Sequence, residues 1–306
     1  MHPLRFPRFS RACAVAPMQL TNRDREIIRL VHRYRFLHSP QIVSFIGDPA
    51  QSILRRLQLL YHHGYLERPR AQLVYYQHGG SRPIVYGLGT KGAACLPANG
   101  ATAGEVRWSE KNRSVERFFL EHALLVSDVM VAIELACRQT GVRLITEEEL
   151  LLSNAAGPKD QSFKWYVNIT SRQRLGVIPD RVFALEFTGK SGNPERAYFF
   201  LEADRGTMPV IRHSLTQTSF YRKLLAYEAT WSQSIHQKRF GFHRFRVLTV
   251  TTSAKRVESL VNACSQLKRG QGLFLFADRS VLEKPTEILS AIWQTGRPGQ
   301  TGRLLD

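Results

Sequence analysis

The sequence predicts an α+β protein of two domains, in which a small helical domain with two short strands precedes an α/β sandwich with a mixed sheet. Helical periodicity fills residues 20–62, whereas the order of patterns beyond residue 113 is α-β-β-β-α-β-α-β. The first three strand patterns of that order span residues 142–152, 175–187 and 197–204. A chain of 306 residues is long enough for two domains. The expected organisation is a flexible basic arm at 1–19, a first domain at 20–96, a linker at 97–112 and a second domain at 113–306.

Positive charge is concentrated in the first third of the chain. The formal net charge is +18, and 43% of the residues are hydrophobic, which excludes a disordered basic tail. Residues 1–100 contain 14 basic and 4 acidic side chains, whereas the other 206 residues contain 29 and 21. We therefore expect a folded protein that binds a polyanion through its first third. Arg supplies 33 of the 43 cations, for which a G+C-rich genome is a second explanation.

Nothing in the sequence indicates a disulfide, a zinc site or a membrane span. The cysteines, at positions 13, 95, 137 and 264, form no C-x-x-C pair and have no His at ligand spacing. The most apolar stretch, residues 118–137, is interrupted by charged side chains and is too polar to cross a bilayer. We expect a protein of the reducing cytoplasm.

Three short helices are expected before residue 65. Thr21 and Asp24 have the spacing of a capping box at the start of the first helix, which reaches about residue 34. The second helix starts with a Ser-Pro pair and closes at Gly47, and the third ends at Gly64. One face of the third helix is expected to be buried, because apolar residues recur at positions i, i+1, i+4, i+7 and i+8, which are Ile53, Leu54, Leu57, Leu60 and Tyr61.

Two strand patterns, at 65–68 and 83–88, follow the third helix and are joined by a loop that contains His78. This order of helices and strands predicts a winged helix-turn-helix that docks double-stranded DNA. The outward face of the third helix would contact bases and phosphates with Gln51, Ser52, Arg55, Arg56 and Gln58. The wing would add Arg68, Arg70 and Arg82. The alternative is a solvated helix face in a domain that contacts proteins.

Three carboxylates are expected to meet at one end of the sheet of the second domain. Asp180 follows Pro179 early in one apolar strand, whereas Glu202 and Asp204 end the next strand on the same face. Carboxylates this close repel one another unless a cation lies between them. Mg²⁺ or Mn²⁺ held by Asp180, Glu202 and Asp204 would activate water against a phosphodiester. The alternative is ion pairing with Arg, for which Arg181 and Arg205 are adjacent in sequence.

This arrangement resembles the core of the PD-(D/E)XK nucleases. The resemblance implies a restriction-endonuclease-like topology with Pro179-Asp180 as the first motif and Glu202 in the second. Asp204 stands where the family has Lys, and Lys223 on the following helix is the expected substitute. The implied activity is a metal-dependent DNA endonuclease with the catalytic residues Asp180, Glu202, Asp204, Lys223 and the helix acid Glu121.

Two groups of motifs are similar to the replication-relaxation family of bacterial plasmids and integrative elements. The first group is LTNRDREI at 20–27, YRFL at 34–37 and YGLGTKG at 86–92, and the second is LEADRGT at 201–207 and YRKLLAY at 221–227. The resemblance implies a DNA-binding protein of a mobile genetic element, linked to replication, relaxation or transfer. The alternatives are the endonuclease and a docking module. The expected partner is double-stranded DNA. A relaxase or replication protein and a second copy of the chain, in a homodimer, are further candidates.

Overall fold

The structure is a computed structural model that describes residues 6–13, 15–76, 82–96, 107–153, 163–171, 173–189 and 191–306. It divides into two compact units, Met1–Asp128 and Val129–Asp306. The division falls within a long helix, Arg117–Thr140, and not in the predicted linker at 97–112. No described helix is both long and apolar enough to cross a membrane.

The first unit contains short helices and a three-stranded antiparallel sheet. Its helices are α1 (Asn22–Tyr34), α2 (Ser39–Ile46), α3 (Ala50–His62), α4 (Thr90–Ala93), α5 (Trp108–Arg113) and the first part of α6 (Arg117–Thr140). Its strands are β1 (Phe36–His38), β2 (Leu66–Glu67) and β3 (Val85–Leu88), in the sheet order β1-β3-β2. The three expected helices and the two expected strands are present. The sequence did not indicate β1, which is only three residues long.

Helix α1 begins with the predicted capping box, in which the Thr21 hydroxyl accepts from the Asp24 backbone and the Asp24 carboxylate accepts from Thr21. Asp24 is fully buried, and its two oxygens accept hydrogen bonds of 2.7 and 2.6 Å from Arg56 on α3. Burial alone would raise the pKa of Asp24, but the hydrogen bonds from Arg56 and Thr21 outweigh it and hold that pKa below its ordinary value. Arg56 therefore fastens α3 to the start of α1.

The N-terminal segment is not a flexible arm over residues 6–13. Arg11 donates to the buried carboxylate of Glu67 at 2.8 Å and to the Tyr61 carbonyl at 3.2 Å. Arg113 of α5 donates to the same Glu67 oxygen at 2.9 Å. Because Glu67 is 1% exposed, its charge needs these two cations, and they hold the segment and α5 against β2. The predicted linker at 97–112 was wrong at residues 108–112, because these residues belong to helix α5.

The second unit is a mixed sheet with helices and a separate hairpin. Beyond α6 its helices are α7 (Glu147–Ser153), α8 (Phe220–Ser232), α9 (Ile235–Phe240) and α10 (Ala254–Ser265). The strands of the sheet are β4 (Arg143–Ile145), β7 (Arg181–Thr188), β8 (Pro194–Ala203), β9 (Arg246–Thr251), β10 (Phe274–Asp278), β11 (Trp293–Thr295) and β12 (Thr301–Gly302). Their order is β12-β11-β10-β9-β8-β7-β4, with β8, β9 and β10 parallel and the other pairs antiparallel. The predicted mixed sheet is thus confirmed.

Two predicted strands are divided in the structure. The pattern at 142–152 is strand β4 followed by helix α7, because the Thr146 hydroxyl accepts from the Glu149 backbone and caps the helix. The acidic run at 147–149 therefore lies at the positive end of a helix and not on a strand edge. The pattern at 175–187 contains β6 (Gln173–Val177) and β7, which are separated at Pro179. Strand β6 forms a hairpin with β5 (Trp165–Thr170).

The core of the second unit packs α8 and the hairpin against one face of the sheet. Trp165 of β5 lies 5.1 Å from Phe200 of β8, measured between ring centroids. The indole nitrogen of Trp165 donates to the Thr230 hydroxyl of α8 at 2.8 Å, so the buried polar groups of this contact are paired. Tyr227 of α8 stacks on Phe200 from the same side. The end of β8 therefore lies directly beneath α8.

We predict that Arg56→Ala lowers the free energy of unfolding by about 3 kcal/mol, because it leaves the buried Asp24 carboxylate without its cation. The exposed neighbouring Arg55→Ala should change it by less than about 0.5 kcal/mol. Since the pKa of Asp24 is lowered in the folded protein, its contribution is present above the ordinary Asp pKa of about 4 and is lost as the pH falls below it. Denaturant unfolding between pH 7 and pH 3 measures both effects. Equal stabilities of the two variants would contradict the assignment.

Candidate functional site

The outward face of α3 carries most of the predicted DNA contacts. Gln51, Ser52 and Arg55 are exposed and Gln58 is half-buried. The opposite face is fully buried at Ile53, Leu57 and Leu60. Leu54 was wrongly expected on that face, since it is 41% exposed beside Arg55 in sequence. The helix contains no Asp or Glu. Arg56 differs from its neighbour because its guanidinium is taken by Asp24. The structure thus leaves Arg55 as the outward-facing cation of this helix.

The predicted wing cations are divided between the surface and the core. Arg68 is 3% exposed and lies between two rings, with its guanidinium carbon 4.2 Å from the centroid of Tyr61 and 5.1 Å from that of Tyr86. Its placement on an exposed wing was therefore wrong, because the aromatic rings and the Tyr86 hydroxyl hold it inside the unit. Arg70 and Arg82 are exposed. The chain between β2 and β3 includes a 3₁₀ helix, Arg70–Tyr76, and His78 lies outside the described residues.

Glu121, the expected helix acid of a nuclease, lies on α6 in the first unit. Its carboxylate accepts a hydrogen bond of 2.7 Å from Arg117, one turn earlier on the same helix. Burial raises the pKa of Tyr75, and the charge of Glu121 raises it further, which places Tyr75 beside this ion pair. Glu121 is therefore part of a surface ion pair. It does not line the cavity that contains Glu202.

The end of β8 contains a buried carboxylate with two partners on α8. Glu202 is 2% exposed, its Oε2 accepts from Lys223 Nζ, and its Oε1 accepts from the Tyr227 hydroxyl at 2.6 Å. Asp180, just before β7, accepts from the Ala203 backbone nitrogen at 2.7 Å. The antiparallel register of β7 and β8 thus brings Asp180 next to Glu202, as the sequence predicted. Lys223 is the cation paired with Glu202.

Burial and neighbouring charges shift the pKa values of Glu202, Lys223 and Tyr227. Burial raises the pKa of Glu202, and the charge of Asp180 raises it further, against the opposing effect of Lys223. Burial lowers the pKa of Lys223, but Glu202 and Asp180 outweigh burial and the pKa is raised. Burial and Glu202 raise the pKa of Tyr227 well above its ordinary value. At neutral pH the phenol therefore donates to Glu202, and Lys223 remains charged.

Asp204 is turned to a different cation. Its Oδ2 accepts from Arg256 Nε at 2.8 Å and from the Thr251 hydroxyl at 2.7 Å. The second guanidinium arm of Arg256 donates to the Met208 carbonyl at 2.6 Å. The expected alternative of ion pairing thus applies to Asp204. The partner in this pair is Arg256 on α10, which is distant in sequence and was not predicted.

The predicted metal ligands do not converge in this structure. Among the described residues, no group of three or more His, Cys, Asp or Glu side chains is arranged to hold a metal ion. Both oxygens of Glu202 accept hydrogen bonds from α8, and the Asp204 carboxylate is paired with Arg256. The residues present therefore do not fit a site in which Asp180, Glu202 and Asp204 together bind Mg²⁺ or Mn²⁺.

A cavity of about 280 Å³ opens beside Glu202. The hairpin, α8 and the end of β8 line it, and its polar residues include Arg222, Lys223 and Tyr227. Thr249 is the register partner of Glu202 on β9, and its fully buried hydroxyl has no hydrogen-bond partner among the described residues. Tyr227 was not among the predicted site residues, although it belongs to the YRKLLAY motif and follows Lys223 by one helical turn on the same face.

We predict that Lys223→Met lowers the free energy of unfolding by about 3 kcal/mol, because it leaves Glu202 buried without a cation. The double variant Glu202→Gln/Lys223→Met should recover part of this loss, since no unpaired charge is then buried. Without Lys223, the pKa of Glu202 should rise further in the folded state, so the stability of the single variant should fall as the pH rises from about 5 to 8. Urea unfolding at both pH values tests this. Additive effects of the two substitutions would contradict it.

The motifs YRFL, YGLGTKG, LEADRGT and YRKLLAY lie within the match to a family model, whereas LTNRDREI at 20–27 precedes it. The model of the replication-relaxation family matches residues 28–244, which is more than half of the chain and covers α3, the Pro179-Asp180 segment, the end of β8 and α8. No curated protein and no solved structure matches the chain. The predicted family is confirmed, and the chain belongs to the replication-relaxation family.

Proposed function

We propose that this protein binds double-stranded DNA of a mobile genetic element through a winged helix in its first unit, and that it acts in the replication or relaxation of that element. Membership of the replication-relaxation family supports a role in replication or relaxation. The element order α1-β1-α2-α3-β2-β3, with an antiparallel sheet of order β1-β3-β2, supports the winged helix. In that architecture α3 is the helix that enters the major groove.

The observation that carries the proposal is the outward face of α3. Gln51, Ser52 and Arg55 stand exposed on a 13-residue helix whose other face is fully buried. These side chains donate hydrogen bonds to base edges and phosphates, and α3 has no carboxylate that would repel DNA. Arg23 of α1 donates to the Ser52 hydroxyl at 3.1 Å and pairs with Asp48 at 3.0 Å. These two contacts connect α1 to the start of α3.

Exposed cations at the edge of this unit would contact the flanking phosphates. Arg70 and Arg82 are exposed near the segment between β2 and β3, where a wing would lie beside the minor groove or backbone. Arg68 and Arg56 are excluded from this role by their buried partners. The proposed contact set is therefore smaller than the sequence predicted.

We expect Arg55→Ala to weaken binding to a duplex by about 1–3 kcal/mol if Arg55 contacts a base, and to lower the log–log salt slope by about 0.9 if it contacts a phosphate. Fluorescence anisotropy over a salt series distinguishes the two contacts. Arg279→Ala removes an exposed Arg from the second unit and is the charge-matched control. Unchanged duplex affinity in Arg55→Ala and Arg82→Ala would overturn the proposed docking surface. Partner-protein binding that survives nuclease treatment would then favour a docking module.

A second candidate function is phosphodiester cleavage by a nuclease-like second unit. The observation in its favour is that Asp180, Glu202 and Lys223 are adjacent, which is the residue set of the PD-(D/E)XK pattern with the Lys moved to a helix. The pairing of Asp204 with Arg256 does not support it. DNA binding through α3 does not depend on this activity.

Incubation of supercoiled plasmid with Mg²⁺ or Mn²⁺ tests the second candidate. A nuclease should nick the plasmid, and Asp180→Ala should abolish the nicking while leaving duplex affinity unchanged. Asp306→Ala, which removes an exposed carboxylate at the last residue, is the control. No nicking by the unaltered protein, or nicking that persists in Asp180→Ala, would remove this candidate.

A further inference from the structure

The hairpin of β5 and β6 has one buried and one open face. Trp165 and Val167 of β5, with Leu175 and Val177 of β6, are buried against the rest of the second unit. The alternate residues point outward and are exposed; they are Lys164, Tyr166, Asn168, Arg174, Gly176 and Ile178. The inner face accounts for the packing of the hairpin. The outer face plays no part in that packing.

Tyr166 is the most distinctive residue of the outer face. It is 66% exposed, and the guanidinium carbon of Arg174 lies 5.0 Å from its ring centroid. Gly176 is its register partner on β6, and a Cβ atom there would lie 3.4 Å from the Tyr166 ring. The ring therefore lies beside the backbone of Gly176 and the guanidinium of Arg174, and most of the surface of Tyr166 is exposed.

The charge of this face has one sign. Lys164 and Arg174 are exposed cations, and the described residues between 163 and 178 include no Asp or Glu. Protein surfaces commonly intersperse both signs of charge. An open aromatic ring beside cations is the combination by which proteins bind single-stranded nucleic acid, because the ring stacks on a base and the cations contact phosphates.

The hairpin also borders the cavity beside Glu202. Gly176 and Ile178 of the hairpin line it, together with Arg222 of α8. Arg222 is half-buried and donates to the Thr216 carbonyl at 3.1 Å, which fixes its direction. Arg222 therefore adds a cation to the cavity that the hairpin borders.

We infer that the outer face of the β5-β6 hairpin binds single-stranded DNA, with a base stacked on Tyr166 and phosphates at Lys164 and Arg174. The ring selects unpaired strands, since the faces of paired bases are covered by their neighbours in a duplex. This binding surface lies in the second unit and is additional to the proposed duplex contact of α3 in the first unit.

Anisotropy of a fluorescein-labelled oligo-dT of about 20 nucleotides, titrated with the full chain, tests the inference. Tyr166→Ala should weaken binding about 10-fold or more, because a stacking partner is lost. Tyr166→Phe keeps the ring and should bind within about twofold of the unaltered protein. Arg174→Ala should weaken binding and lower the salt slope by about 0.7, the value for one phosphate of a single strand. Leu152→Ala, at a residue that is 80% exposed, is the control for surface substitution.

The experiment tests the single-strand surface and the duplex surface separately. Tyr166→Ala should leave duplex affinity unchanged, whereas Arg55→Ala should reduce duplex affinity and leave the Tyr166 dependence of oligo-dT binding in place. Absence of oligo-dT binding, or equal affinities of Tyr166→Ala and the unaltered protein, would overturn the inference. It would also be overturned if poly-glutamate bound with the same affinity and the same Tyr166 dependence, since the surface would then recognise any acidic polymer.

Discussion

The described site depends on the pairing of the buried Glu202 carboxylate with Lys223 and Tyr227. An ionised carboxylate inside a protein is costly unless a cation and hydrogen bonds compensate it, and Lys223 and Tyr227 provide both. Because these two partners lie one turn apart on α8, the pairing fixes that helix over the end of β8. It also places Lys223 at the wall of the cavity, where the hairpin supplies the opposite side.

Buried carboxylates of the first unit also need cations, and this need determines which arginines remain available for the proposed contact with DNA. Asp24 is paired with Arg56, and Glu67 is paired with Arg11 and Arg113. These arginines connect segments that are distant in sequence, and their loss would leave buried charges unpaired. The net charge of the first third therefore overstates the number of cations that can meet a phosphate backbone, and Arg55 of α3 becomes the central residue of the proposed duplex contact.

Local signals allowed much of the fold to be predicted. The capping box of α1, the apolar face of α3 and the apolar strands of the mixed sheet follow from spacing alone, and the proximity of Asp180 to Glu202 follows from hairpin pairing. Partners distant in sequence could not be predicted. Neither the contact of Arg256 with Asp204 nor the burial of Arg68 between two tyrosines leaves a periodic signal, because both depend on how separate elements pack.

Buried partners separate the structural arginines from those that we propose to contact duplex DNA. Arginine-selective modification with phenylglyoxal, read by mass spectrometry with and without duplex DNA, measures this for each residue. We expect Arg55 to react in the free protein and to be protected by DNA, whereas Arg56 and Arg68 should react slowly in both states. Rapid modification of Arg56 or Arg68 that DNA suppresses, or modification of Arg55 that DNA does not change, would contradict it.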